Sequence, residues 1–234
     1  MSRSVLKSVV FSSALLMSGA AFAAPILIST QVNGSYHGSY GSASVNIDSA
    51  TNPDVTINGA SAGAFALTGD LDGNGPAENF AAFCLDIAHY LSLPGYYTIT
   101  TSPFASDPLT TTQIGNVQTL FDMAFGSLTL TSNAQSAGFQ LALWEIIYET
   151  TGTLSVGNGN FTASGNTGAV NFANTLLGNL VSAGPVTQVY NLTFLESQNG
   201  QDLVTASPVP LPAAGLLLLA ALGGLGLARR RKTV

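Results

Sequence analysis

The sequence predicts an α+β fold, a β-sheet or sandwich-like domain with an inserted helical segment. Short alternating runs separated by Gly, Ser, Asn and Pro fill the first half of the chain, and such runs are typical of strands. Apolar residues then recur at helical spacing between 111 and 150, and alternating runs return after 186. Strands on both sides of a helical segment favour one sheet in which the two ends of the domain pair.

The first half supplies the early strands. Alternation predicts strands over residues 26–32, 43–47 and 55–57. The runs 83–91 and 96–100 flank Pro94-Gly95, and this arrangement predicts a hairpin.

The helical segment comprises two amphipathic helices at about 111–126 and 133–150, and a weaker third helix over 170–180. Ser132 or Asn133 is expected to cap the second helix, because short polar side chains accept hydrogen bonds from the first free N–H groups.

Strands are expected again over 186–195 and 202–206. Asn199-Gly200 lies between them, and this pair is typical of a type I′ hairpin turn because both central residues need positive φ.

The N-terminus has the pattern of a secretory signal peptide. Arg3 and Lys7 precede an apolar run over 9–17, and Ala21-Phe22-Ala23 provides the small residues of a signal-peptidase site. We expect cleavage after Ala23, so residues 1–23 are the signal peptide and 24–206 the exported domain.

The C-terminus, residues 207–234, has three parts: a Pro-rich motif, an apolar run over 213–228 and a basic end. The run is shorter than the roughly 20 residues of a comfortable span, and the basic end should stay cytoplasmic. This order resembles the PEP-CTERM sorting tails of Gram-negative bacteria, in the VPLPA variant. The resemblance implies a transmembrane tail that an exosortase-type protease recognises; the alternative is a permanent membrane anchor. The residues that match the motif and its basic end are Val209, Pro210, Leu211, Pro212, Arg229, Arg230 and Arg231.

The exported portion has an unusual charge balance. All six basic residues lie in the two targeting segments, whereas all twelve Asp and Glu lie between them. Such a domain would be repelled by phosphate, so nucleic acid is excluded as a partner. Its carboxylates must be solvated, bonded to backbone N–H groups or matched to cationic ligands.

Two segments carry candidate chemistry. Cys84 is the single cysteine of the chain and lies between Phe83 and Leu85, so no intramolecular disulfide is possible. Phe139-Gln140 and Leu143-Trp144 lie on a predicted helix.

These motifs resemble those of the thioester domains of Gram-positive surface adhesins, which have an aromatic-Cys-apolar segment and a later apolar-Gln-x-x-apolar-Trp segment. Gln201, after the predicted hairpin turn, also resembles the ending of that family. The resemblance implies an internal thioester between Cys84 and Gln140 and covalent attachment to an amine.

The chemistry imposes requirements that these residues meet. The thiol must attack a nearby carboxamide, release ammonia and then be kept from water. Phe83, Phe139 and Trp144 could shield the bond, and Asp86 could polarise the thiol or bond to backbone. The alternative is that Cys84 is a small buried apolar residue and Gln140 a local cap.

A cysteine hydrolase is the third and weakest interpretation. It would need a histidine near Cys84, and strand alternation would place His89 on the opposite face. His37, in a Gly/Ser-rich region, is the remaining histidine. We therefore expect no enzymatic activity.

A possible calcium loop is formed by Asp70, Asp72, Asn74 and Glu78. The first three match the start of an EF-hand loop, but its twelfth position is Ala81 instead of Glu. A turn between strands is the preferred interpretation, and no cofactor is expected.

The sequence thus leaves two main functions: a surface-displayed or matrix-associated binding module with a reactive thioester, or a passive component of an exopolysaccharide biofilm matrix. Its expected partners are signal peptidase, the sorting protease, the membrane through its tail and an amine-bearing ligand.

Processing provides the first test. In a host that contains the sorting protease, mass spectrometry of surface-exposed protein should find neither residues 1–23 nor the segment that follows the Pro208 region. Recovery of an intact Arg229–Lys232 end on exposed protein would contradict sorting and favour a permanent anchor.

Overall fold

The computed structural model describes residues 25–30, 39–50, 53–71, 75–101, 103–104, 107–150 and 152–210. The predicted signal peptide and the apolar tail segment lie outside these ranges. Within them, no helix is long and apolar enough to cross a membrane. The elements, in chain order, are β1 (Ile26–Thr30), β2 (Ser39–Ser49), β3 (Val55–Gly69), β4 (Glu78–Cys84), β5 (Gly95–Thr100), α1 (Thr111–Ala124), α2 (Asn133–Tyr148), β6 (Phe161–Ser164), α3 (Thr167–Ser182), β7 (Tyr190–Ser197) and β8 (Leu203–Pro208).

Six of the strands form a closed antiparallel barrel, in the order β1-β5-β7-β8-β4-β3. It closes because β1 pairs with β5 through Leu27 and Tyr96 and with β3 through Ser29 and Thr68. The α+β class and the inserted helices are therefore confirmed, but the sandwich-like arrangement is replaced by a barrel. Closure leaves no free edge in this part of the sheet.

The long strand β3 connects the barrel to a sheet extension. Its first part pairs with β2, which pairs in turn with β6, and its last part pairs with β1 and β4. Gly63 allows the backbones of β2 and β3 to approach closely. Its φ is +151°, and a Cβ there would lie 2.1 Å from the Gly41 carbonyl oxygen. Helix α2 packs on β2 and β3, and α3 packs on α2.

The predicted hairpin over 83–91 and 96–100 is wrong. β4 ends at Cys84 and pairs with β3 and β8, whereas β5 pairs with β1 and β7. Leu85 and Ile87 are buried in an irregular segment after the strand. Their apolar side chains indicated burial, but they did not identify the hydrogen-bonding partner.

The helices agree with the periodicity. Ser132 is the N-cap of α2 and accepts from the Gln135 N–H at 3.5 Å. The predicted third helix begins three residues earlier, at Thr167, after the N-cap Asn166. The short strand β6 was not predicted.

The β7–β8 hairpin is confirmed, with Leu195 opposite Leu203, but its turn is not type I′. Neither Asn199 nor Gly200 has positive φ. Instead, the Ser197 hydroxyl accepts hydrogen bonds from the N–H groups of Asn199 and Gly200, at 3.4 and 3.0 Å. The side chain thus shapes a longer connection, which carries Gln201.

A buried aromatic cluster joins the barrel to the helices. Phe83 of β4 lies 4.6 Å from Phe139 of α2 and 6.2 Å from Phe121 of α1, measured between ring centroids. Each such side chain contributes about 1.5–3 kcal/mol by burial. Because successive strand residues point to opposite faces, the cluster directs the Cys84 side chain away from the helices.

Candidate functional site

The site is built around Cys84, the last residue of β4, which is 3% exposed. On one side of its backbone, β8 continues the pairing, with Cys84 opposite Leu203. On the other side, the pairing with β3 stops at Ala82. The Cys84 N–H and C=O therefore need a partner that is not a strand.

Gln140 of α2 supplies that partner. Its Oε1 accepts from the Cys84 N–H at 2.8 Å, and its Nε2 donates to the Cys84 carbonyl at 2.8 Å. Gln140 is fully buried, and both polar ends of its carboxamide are engaged. The structure thus brings Gln140 to Cys84, as the sequence suggested, but to its backbone.

The thiol faces a different glutamine. The Cys84 Sγ–H donates to Gln201 Oε1 at 2.7 Å, across 117 positions of the chain, and both residues are buried. Gln201 lies in the connection between β7 and β8. Its resemblance to a family ending was the sequence signal for its importance, but the sequence did not assign it the contact with the thiol.

Asp86 organises the backbone around Gln201. The Gln201 Nε2 donates to the Asp86 carbonyl at 2.8 Å. The Asp86 carboxylate accepts from the N–H groups of His89 and Asp202, at 2.8 and 3.2 Å. Of the two roles expected for the Asp86 side chain, bonding to backbone is seen directly in these contacts, and its charge also acts on the thiol.

The electrostatics keep the thiol protonated. Burial raises the pKa of Cys84 well above its usual value, and the neighbouring Asp86 charge raises it further. The site holds no Lys or Arg to stabilise a thiolate, because the whole region from residue 24 to 228 lacks them. The thiol is therefore neutral at physiological pH.

The predicted shielding residues are buried but lie in different places. Phe83 and Phe139 belong to the aromatic cluster behind Cys84. Trp144 packs against Phe161 of β6 at 6.4 Å between centroids. Phe83 and Phe139 support the strand and helix that carry Cys84 and Gln140, and Trp144 supports the contact of α2 with the sheet extension.

The cysteine-hydrolase interpretation depends on the positions of His89 and His37. The alternation argument assumed that the strand continues to His89. Because β4 ends at Cys84, this argument does not apply, and His89 lies in the irregular segment after the strand. His89 is mostly exposed, and its Nδ1 lies 3.3 Å from Asp86 Oδ2. His37 lies outside the described residues.

The candidate calcium residues are only partly described. Asp70 accepts from the Gly75 N–H at 3.3 Å, Glu78 begins β4, and Asp72 and Asn74 lie outside the described residues. Across the described ranges, no three His, Cys, Asp or Glu side chains form a group that could hold a metal ion.

The Pro-rich motif is also only partly described. The Val209 N–H donates to the Val189 carbonyl at 2.9 Å, and Pro210 is the last residue described. Leu211, Pro212 and Arg229–Arg231 lie beyond it.

A cleft of about 1180 Å³ opens beside the site. Asp86, His89, Ser197, Gly200 and Asp202 line one part of it. Three further carboxylates also line it: Asp107, Glu149 and Glu196. Acidic side chains therefore line the cleft next to the segments that hold Gln201.

No protein-family model and no curated protein matches the chain. Among solved structures, the chain is similar to the N-terminal domain of the Streptococcus pyogenes pilus tip adhesin Cpa, with a TM-score of 0.40 and 13% identity over 76% of this chain and 97% of that one. It is also similar to the N-terminal thioester domain of a Clostridium perfringens surface protein, in a cysteine-to-alanine variant, with a TM-score of 0.36 and 10% identity over 70% and 99%. Both TM-scores are low, so the functional conclusion rests on the geometry of the site.

A second buried acid lies on the same helix as Gln140. Glu145 is fully buried, its Oε1 accepts from the Ser155 N–H at 2.6 Å, and its Oε2 has no hydrogen-bond partner within the described ranges. Burial raises the pKa of Glu145 from 4.5 to about 7; the Ser155 N–H opposes this shift and the Glu149 charge adds to it.

This buried acid makes the stability of the domain dependent on pH. Between pH 4.5 and about 7 the folded protein holds the Glu145 proton more tightly than the unfolded chain, so the free energy of unfolding falls as pH rises through that range. Urea unfolding at pH 5 and pH 8 should show a smaller decrease for Glu145→Gln than for the unsubstituted protein. Asp202, whose pKa burial raises to about 6, contributes equally to both proteins. Identical pH dependence in the two would contradict the assignment.

Proposed function

We propose that this chain is an exported adhesion module of the bacterial surface or extracellular matrix, and that it attaches covalently to amines through an internal thioester between Cys84 and Gln201. The observation that carries the proposal is the 2.7 Å contact of the Cys84 thiol with Gln201 Oε1 in a buried site. A nucleophile and a carboxamide held at this separation have little further to move before bond formation.

The reaction requires no other reagent. The Cys84 sulfur attacks Cδ of Gln201, and the thiol proton passes to the carboxamide nitrogen. The C–N bond then breaks and ammonia leaves with that proton, so one S–H bond and one C–N bond are exchanged for one S–C bond and one N–H bond. Direct transfer of the proton suits a thiol whose ionisation is disfavoured by burial.

Gln140 is the less suitable bonding partner. Attack on its carboxamide would break its two buried hydrogen bonds to the Cys84 backbone. Each buried group left without a partner costs roughly 1–3 kcal/mol. We therefore assign Gln140 the role of holding the Cys84 backbone in place, and Gln201 the role of forming the bond.

The composition of the domain protects such a bond. With no lysine between residues 24 and 228, no side-chain amine of the domain competes with an external one. An incoming amine attacks the thioester carbonyl, forms an amide with the Gln201 side chain and releases Cys84 as a free thiol. The acidic cleft attracts amines that carry positive charge.

Export and sorting are part of the proposal and rest on the sequence. The signal-peptide pattern at 1–23 and the VPLPA-type tail at 207–234 support secretion across the inner membrane of a Gram-negative bacterium, followed by exosortase-type processing. These steps would place the domain where it meets amine-bearing surface or matrix molecules.

Intact mass tests the thioester directly. The purified mature domain should weigh about 17 Da less than its sequence mass, because ammonia leaves when the bond forms. Cys84→Ala and Gln201→Glu should each abolish the deficit, since one lacks the nucleophile and the other lacks the carboxamide.

Gln140→Glu is the matched comparison, because it also replaces one buried glutamine. It removes the Nε2 donor to the Cys84 carbonyl but leaves the Gln201 carboxamide, so it should destabilise the fold, while the folded fraction still shows the deficit. Cross-linked peptides that contain residues 84 and 140 would instead assign the bond to Gln140. A wild-type protein with no mass deficit would support the passive matrix component.

Amine reactivity provides a further test. Methylamine should add covalently at Gln201, and Cys84 should react with a thiol reagent only after that addition. Added salt should slow the reaction of this cationic amine, because the attraction of the acidic cleft is screened. A thiol that titrates fully before amine treatment would contradict the proposal.

A further inference from the structure

We infer that the Tyr97 hydroxyl is the hydrogen-bond donor that stabilises the Gln201 carboxamide oxygen while the Cys84 sulfur bonds to the adjacent carbon. This inference rests on the thioester proposed above and adds a residue to its chemistry. No sequence pattern pointed to Tyr97.

Tyr97 is a buried tyrosine with an unused donor. It is 1% exposed, and its hydroxyl has no hydrogen-bond partner among the described residues. Burying a hydroxyl without a partner destabilises a fold by roughly 1–3 kcal/mol. Such a group in the core calls for an explanation beyond packing.

Its position places it at the reactive end of the barrel. Tyr97 pairs with Ser197, the last residue of β7. The Ser197 N–H in turn donates to Asp202 Oδ1 at 2.8 Å, next to Gln201. On the same strand, Tyr96 is 68% exposed whereas Tyr97 is buried, so the Tyr97 ring points to the inner face.

The electrostatics agree with this placement. Burial raises the pKa of Tyr97 to about 12, and Cys84 has the next largest effect on it, ahead of Asp202 and Asp86. The strand register also places Tyr97 on the same face of the sheet as Cys84, since the paired strands set the two positions apart by an even number of residues. The phenol remains neutral at physiological pH and can donate its proton in a hydrogen bond.

The reaction itself creates the need for this donor. Before bond formation, Gln201 Oε1 accepts from the Cys84 thiol. That donor disappears when the sulfur loses its proton and attacks, just as negative charge builds on the oxygen. A preorganised donor in a site closed to water stabilises this charge most effectively, and Tyr97 carries an unused one.

The test is Tyr97→Phe, which removes only the hydroxyl. Thioester formation is followed by intact mass while unfolded protein that has not yet lost ammonia is refolded from denaturant. Thioester cleavage is followed by intact mass after addition of methylamine. The variant should be at least as stable to urea as the wild type, because an unpaired hydroxyl is gone. Both reactions should nevertheless slow by about 10²-fold, the usual effect of removing one such donor. Equal rates would overturn the inference.

Tyr96→Phe is the matched control, since it removes an exposed hydroxyl from the neighbouring position, and it should leave both rates unchanged. The two proposals fail in distinguishable ways. A wild-type protein without the mass deficit overturns the thioester itself, whereas a wild-type deficit that forms equally fast in Tyr97→Phe overturns only the role of Tyr97.

A second measurement does not depend on the folding of a variant. A crystal structure of the wild-type protein after thioester formation should place Tyr97 Oη within about 3.2 Å of the carbonyl oxygen derived from Gln201. A phenol directed to another acceptor would overturn the inference.

Discussion

The two hydrogen bonds between the Gln140 carboxamide and the Cys84 backbone are the constraint on which the site depends. They replace the strand that β4 lacks once its pairing with β3 ends at Ala82. Because a buried backbone group without a partner is costly, α2 must keep Gln140 at this point. Its placement is supported by Ser136, one turn earlier on α2, whose hydroxyl accepts from the Ala64 N–H at 2.8 Å. The helix and the barrel are thus joined at the residue that carries the thiol.

Two glutamines consequently take different parts around one cysteine. Gln140 is held by backbone at both polar ends, so it contributes rigidity. Gln201 is held at Nε2 by the Asp86 carbonyl and presents Oε1 to the thiol. In the reaction proposed above, Gln140 would hold the backbone of the nucleophile and Gln201 would be its target, which is the preorganisation that such a condensation requires.

The shortage of cations has shaped the rest of the domain. With no lysine or arginine between residues 24 and 228, several buried or half-buried carboxylates accept from backbone N–H groups. Asp122 accepts from Val189 and Tyr190, Glu149 from Asn160, and Asp202 from Ser197. Each of these bonds ties a connecting segment to a regular element, so the acids contribute to the fold. This is one of the solutions that the charge balance required.

The sequence by itself determined the local features: the three helices, a cap at Ser132 or Asn133, the β7–β8 hairpin, the single cysteine and the absence of lysine between the two targeting segments. Periodicity, capping and composition act over a few residues, so they can be read directly. The tertiary structure alone decided that β1 closes a barrel, that β5 pairs with β7 and that the Cys84 thiol meets Gln201. Alternation reports which side chains are buried but leaves the partner strand open, and 117 positions separate the thiol from its acceptor. Only the closed barrel, in which Cys84 and Leu195 both lie opposite Leu203, brings the end of β4 to the β7–β8 connection and so selects one glutamine over the other.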